Sequence, residues 1–268
     1  MENIKKRLIF SFVINILSII FFISCIINEI VKINNNPDNI YGSVWGLFRY
    51  FTIDGNLLSF IFNIIILIIQ IKALRLSESG NIQDKIVSNF LYIISLISAC
   101  NEIIIFIVDL AFLPRANKSF IIGLVGTYGG AVLHILIPLL IVFRFLFLDI
   151  RQRNLKIYER FAGGLPMIVY GVIMYILCVA KVFTSFDKIG GDGRIPYPFF
   201  DVYHQPWYFC FFIALFILVF GFGISVLFDF INKKSQKLIF PCESIEKIEE
   251  GLVTDDVQLI HAGSNEET

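Results

Sequence analysis

Thr52 and His134 are the two side chains in this sequence whose types and setting could carry covalent chemistry. A threonine hydroxyl is a poor nucleophile until a neighbour accepts its proton, and an imidazole that titrates near neutrality suits that task. Together they could attack an ester carbonyl, form an acyl-enzyme and release it to water. Thr52 stands in FRYFTIDGNLLSF, residues 48–60, which is polar at Arg49, Thr52, Asp54 and Asn56 yet opens a long apolar run. His134 stands in GLVGTYGGAVLHILIP, residues 123–138, where Gly126, Gly130, His134 and Pro138 recur every fourth residue along one helix face. Glycines so spaced admit a neighbouring backbone. Pro138 has no N–H, so an α-helix through it should kink and leave the His134 carbonyl as a free acceptor.

These residues belong to a membrane chain. Of 268 residues, 57% are hydrophobic and 15% aromatic, and the mean hydropathy is +0.78. Several runs exceed the roughly 18 apolar residues that mark a spanning helix. The expected fold is all-α: a polytopic six-helix transmembrane bundle over residues 1–231, with spans Leu8–Val31, Phe51–Leu74, Val87–Phe112, Phe120–Phe147, Leu165–Phe183 and Trp207–Ile231. Residues 232–268 read as an acidic, disordered or loosely helical tail. Lys5, Lys6 and Arg7, the 72–85 and 151–160 links, and Lys233, Lys234 and Lys237 put most of the basic loop residues on one side. The positive-inside rule makes that side, and both termini, cytoplasmic. The basic start and Ile23-Ser24-Cys25 also fit a cleaved lipoprotein signal, but the apolar run is too long for one.

A net charge of zero shows no nucleic-acid footprint. Five cysteines without a CxxC pair suggest neither a disulfide frame nor a metal site, and nothing calls for a cofactor.

Polar residues in three spans follow steps that keep them on one helix face. They are Ser11, Asn15, Ser18, Cys25 and Glu29 in the first span. In the second they are Arg49, Thr52, Asn56, Ser59, Asn63 and Gln70. In the third they are Tyr92, Ser95, Ser98, Glu102 and Asp109. Such stripes must face one another or a wet cavity, because polar groups in hydrocarbon are costly. Serine and amide members fit interhelical hydrogen bonding alone. Glu102 and Asp109 are functional candidates, since a carboxylate at mid-membrane costs about 2.5–3.5 kcal/mol. An Asp109–Arg49 ion pair is an equal alternative. If the second helix begins near Ser43 or Val44, Thr52 lies about 12 Å in, and His134 lies about 20 Å from an outer start near Ser119 or Phe120; a tilt or a bend could bring the pair to a similar level. Asn56 could donate to an oxyanion and Glu102 or Asp109 could orient the imidazole.

FRYFTIDGN, HILIP and YPFFDV (residues 197–202), across six spans, resemble a bacterial six-helix membrane family called Pr-six-Pr. That family is similar to the androgen-induced and androgen-dependent transmembrane threonine hydrolases of fatty acid esters of hydroxy fatty acids. The resemblance covers residues 48–202 and implies Thr52 as nucleophile, His134 as base, a lipid-like ester substrate and the cytoplasmic membrane of a bacterium. The animal enzymes have a longer gap between histidine and proline, and Arg49 and Asp54 depart from the bacterial pattern.

In the last outer loop, Tyr and Trp belong at headgroup level as anchors. A lid with Asp201 or His204 reaching inward is the sharper alternative. A non-enzymatic transporter or lipid-binding protein that uses the seam is the rival to a hydrolase. A structural membrane protein is the third reading.

Overall fold

The computed structural model describes residues 2–35, 48, 50–77, 89–112, 128–150, 154–182, 195, 197 and 200–239. Among them are six helices long and apolar enough to cross a membrane: α1 (Glu2–Asn35), α2 (Phe51–Ser77), α3 (Asn89–Phe112), α4 (Tyr128–Leu148), α5 (Ile157–Val179) and α6 (Trp207–Ile239). No strand occurs among the described residues. The molecule is an all-helical integral membrane protein.

The helices differ in how much of them the bundle hides. In α3 the apolar window is 67% buried, against 22% in α5 and in α6. α3 is therefore the central post. Phe211, Phe216 and Phe230 on α6, and Val172 and Ile176 on α5, point outward where lipid is the solvent.

The polar stripes point inward. Ser11, Asn15, Ser18, Glu29, Thr52, Asn56, Ser59, Asn63, Gln70, Tyr92, Ser95, Ser98 and Glu102 are all buried. Arg49 lies outside the described residues. So does the side chain of Asp109, although its backbone is in α3.

Both described chain ends meet one face of the bundle. Arg7 donates to the Phe147 carbonyl, and Gln236 on α6 donates to the Asp149 carbonyl at 2.9 Å. That shared end is the terminal face below, and its opposite the far face. α6 continues to Ile239, past the expected end at Ile231, because its last turns dock on α4. Asn232 is fully buried and donates to the Phe145 carbonyl at 2.6 Å. Tyr92 on α3 donates to Asp229 and to Asn232, each at 3.1 Å. Residues 240–268 lie outside the described set.

Within α5, the first turn at Ile157–Arg160 leads through Gly163 and Gly164 into the main run Leu165–Val179. Gly163 sits where nothing larger fits. A Cβ there would lie 2.5 Å from both Cys100 Sγ and Ser225 Oγ.

Candidate functional site

α4 is the irregular helix. Two of its segments, Val132–Leu136 and Arg144–Leu148, are π-helical. Insertions of this kind recur at functional sites. Each holds an ionisable residue, His134 in the first and Arg144 in the second.

The first π-turn answers the expected kink and moves its consequence by one residue. The Ile137 N–H bonds the Val132 carbonyl, five residues back. In that register the next donor would be Pro138, bonding Leu133, and Pro138 has no N–H. The Leu133 carbonyl is therefore left without a helical donor. Asn56 on α2 fills it, donating from Nδ2 at 3.4 Å. The same nitrogen donates to the Thr52 carbonyl at 2.7 Å. One amide thus ties the turn that bears Thr52 to the turn that bears His134. Both of its contacts are carbonyls, which only accept, so the orientation of the amide is fixed. Its donors are spent on backbone here rather than on an oxyanion. No direct hydrogen bond joins Thr52 to His134 among the described residues.

Gly129 of α4 fits closely against α1. A Cβ there would lie 2.4 Å from Glu29 Oε1 on α1. Glu29 is itself held by Lys32 at 2.6 Å. Gly126 lies outside the described residues.

An aromatic chain closes the far face beside Thr52. Ring centroids run from Tyr50 to Tyr197 at 6.4 Å, Tyr197 to Phe200 at 6.4 Å, Phe200 to Tyr170 at 6.0 Å and Tyr170 to Phe51 at 5.1 Å. Residues on both sides of Thr52 are thereby joined to α5 and to the segment before α6. Tyr197 and Phe200 turn inward, while Trp207 and Tyr208 face out. The inward-facing rings thus come from the segment before α6 and the outward-facing ones from its first turn. Asp201 is buried, but its carboxylate stays within its own turn. It accepts from the His204 N–H at 3.3 Å and meets His204 Nδ1 at 2.8 Å. The His204 side chain is 62% exposed.

Beside this cover lies an apolar cavity of about 630 Å³ among α3, α5 and α6, open towards the lipid side where Val172, Trp207 and Phe211 are exposed. Phe51, Val108, Tyr170, Phe200, Trp207 and Phe211 are on its wall. Its size is that of a site for a small organic ligand or a chain segment.

The second π-turn contains a residue that the stripe pattern did not single out. Arg144 is fully buried. Its guanidinium donates to Asn15 Oδ1, to Asn63 Oδ1 at 2.5 Å and to Ser95 Oγ at 2.8 Å. It pairs with Asp149 at 3.4 Å. Asn15 passes the network to Gln70 at 2.7 Å, and Gln70 donates to Ser11 at 2.7 Å. The stripes of α1, α2 and α3 converge on this one cation. The signal was an arginine inside the apolar run ILIPLLIVFRFLFL, where a charge is expensive unless paired.

Glu102 is also fully buried. Ser59 stands beside it, yet neither carboxyl oxygen makes a hydrogen bond of good geometry among the described residues.

No family model, curated protein or solved structure matches the chain.

Proposed function

We propose that this integral membrane protein is a hydrolase of lipid-like esters, with Thr52 as nucleophile and His134 as base. The observation that carries the reading is the Asn56 clamp. It ties the backbone turn of Thr52 to the π-turn that contains His134, beneath an aromatic cover and next to an apolar cavity of about 630 Å³. The resemblance of FRYFTIDGN, HILIP and YPFFDV to the threonine-hydrolase pattern supports the same pairing.

In this reading Thr52 Oγ1 attacks the ester carbonyl carbon and His134 takes its proton. The tetrahedral intermediate expels the alcohol, which leaves with that proton. Water, deprotonated by His134, then attacks the acyl-Thr52 ester, releases the fatty acid and restores the hydroxyl. The apolar cavity would take the acyl chain, and the bilayer would deliver it laterally between α5 and α6. The termini lie in the cytoplasm and the cytoplasmic membrane of a bacterium is the setting.

The test is release of p-nitrophenol from a long-chain p-nitrophenyl ester by the purified protein in micelles. Wild type turns over. Thr52→Ala and His134→Ala each fall by at least about 100-fold, the usual scale for general-base loss. Turnover unchanged by Thr52→Ala would rule the mechanism out. A second reading, a lipid-binding or transport protein, is favoured by Glu102, a buried carboxyl that this hydrolysis does not use.

A further inference from the structure

The bundle interior repeats itself in part, on α2 and α3. In the ring around Arg144, α1 supplies Asn15, α2 supplies Asn63 and α3 supplies Ser95. A step of seven residues is about two helical turns, roughly 10 Å, and returns to nearly the same face. Taken towards the far face, that step leads from Asn63 to Asn56 and from Ser95 to Glu102. In α4 it leads from Arg144 to Ile137, along a regular α-helical stretch. On α2 and α3 the second ring thus presents oxygen ligands like the first, but in α1 the step leads from Asn15 to buried Phe22, and isoleucine stands where the first ring has its guanidinium.

The oxygens register that difference. Asn56 Oδ1, Ser98 Oγ, Asn101 Oδ1 and both Glu102 oxygens are buried and make no hydrogen bond of good geometry among the described residues. Asn101 and Glu102 meet α2 at Ser59, and Ser98 lies one turn before Glu102 on α3. Asn101 Nδ2 donates to Ser59 Oγ at 3.3 Å, and Ser59 stands beside Glu102. A Cβ on Gly55, the neighbour of Asn56, would come within 2.9 Å of Asn101 Oδ1. The orientation of the Asn56 amide is fixed by its two carbonyl contacts, so its oxygen cannot exchange places with its nitrogen.

We propose that this second ring binds a monovalent metal cation of the sodium class, standing where Arg144 stands one ring below. Glu102 supplies the single negative charge, and Asn56, Ser98 and Asn101 supply neutral oxygens. Hard cations take oxygen ligands, and one carboxylate balances one positive charge, whereas calcium sites recruit several. Membrane proteins place such ions at interrupted helices, and α4 is interrupted beside Asn56. A bare ionised carboxyl at this depth would be prohibitively costly.

The experiment uses the full chain in detergent and reads binding rather than hydrolysis, so its failure is distinct from that of the esterase reading. Thermal unfolding is followed in sodium, lithium, potassium and choline chlorides at constant ionic strength, with ²²Na⁺ binding in parallel. Sodium should raise the unfolding temperature saturably over choline, as a ligand of the folded state must. Glu102→Gln should abolish the rise and the ²²Na⁺ signal. Ser98→Ala, which keeps the carboxylate, should raise the half-saturating sodium concentration about tenfold, or about 1.4 kcal/mol. If Glu102→Gln does not fold, Ser98→Ala decides. A wild type that unfolds alike in sodium and choline overturns the proposal. So does one stabilised by acid but indifferent to sodium, which is a protonated carboxyl. A sodium response unchanged in either variant also overturns it.

Discussion

Replacing Arg144 with methionine removes the cation on which three helices converge. Methionine keeps most of the apolar stem, so the change isolates the guanidinium. Asn15 Oδ1, Asn63 Oδ1 and Ser95 Oγ lose their donor, and Asp149 loses its ion partner. Breaking a buried pair by removing one member costs about 3–5 kcal/mol. The Asp149 side chain is 13% exposed, so water can reach it and the lower end, about 3 kcal/mol, applies. Each factor of ten is 1.4 kcal/mol, so the folded fraction relative to unfolded should drop more than about 100-fold. The assay is reversible unfolding in mixed micelles, with Asp149→Asn and the double variant completing a cycle. The double variant should recover about 1–2 kcal/mol, because the stranded carboxylate is gone. A loss below about 1 kcal/mol for Arg144→Met, or no recovery in the double variant, would refute the claim that this residue organises the terminal half of the bundle.

Two glycines give a paired test of packing. Gly163→Ala forces a methyl against Cys100 and Ser225 and should cost about 1–3 kcal/mol in the same unfolding assay. Gly171→Ala meets open space within 4 Å and should not destabilise the protein. Tyr197→Ala removes a link in the aromatic cover and should speed entry of a bilayer-borne pyrene fatty ester into the cavity, read as quenching. An unchanged rate would show that Tyr197 does not limit access.

The fold was legible because lipid imposes a simple rule. Apolar runs long enough to span became helices, and polar residues on one face of a run became the interior. Asn15, Asn63, Ser95 and Glu102 could be placed inward by spacing alone. What they would touch could not, because that depends on how neighbouring helices are set against one another. A charge inside its apolar run signals that Arg144 must be paired, but its partners come from three other helices, so the run does not name them. The effect of Pro138 was legible in kind and shifted in detail. An α-helical register sets Pro138 against the His134 carbonyl, whereas the π-turn register sets it against the Leu133 carbonyl and leaves that acceptor open. Asn56 likewise sits on the expected face, yet its amide serves that carbonyl. The inward turn of Tyr197 and Phe200 depends on tertiary contacts with Tyr50 and Tyr170 that no periodicity encodes.

The role of Thr52 as nucleophile is tested most directly by covalent capture. The purified protein is treated with a long-chain fluorophosphonate and digested, and the adduct is located by mass spectrometry. The account predicts the phosphonyl group on Thr52, with labelling lost in Thr52→Ala and strongly slowed in His134→Ala. An adduct on another residue, or labelling of Thr52→Ala equal to wild type, would contradict it.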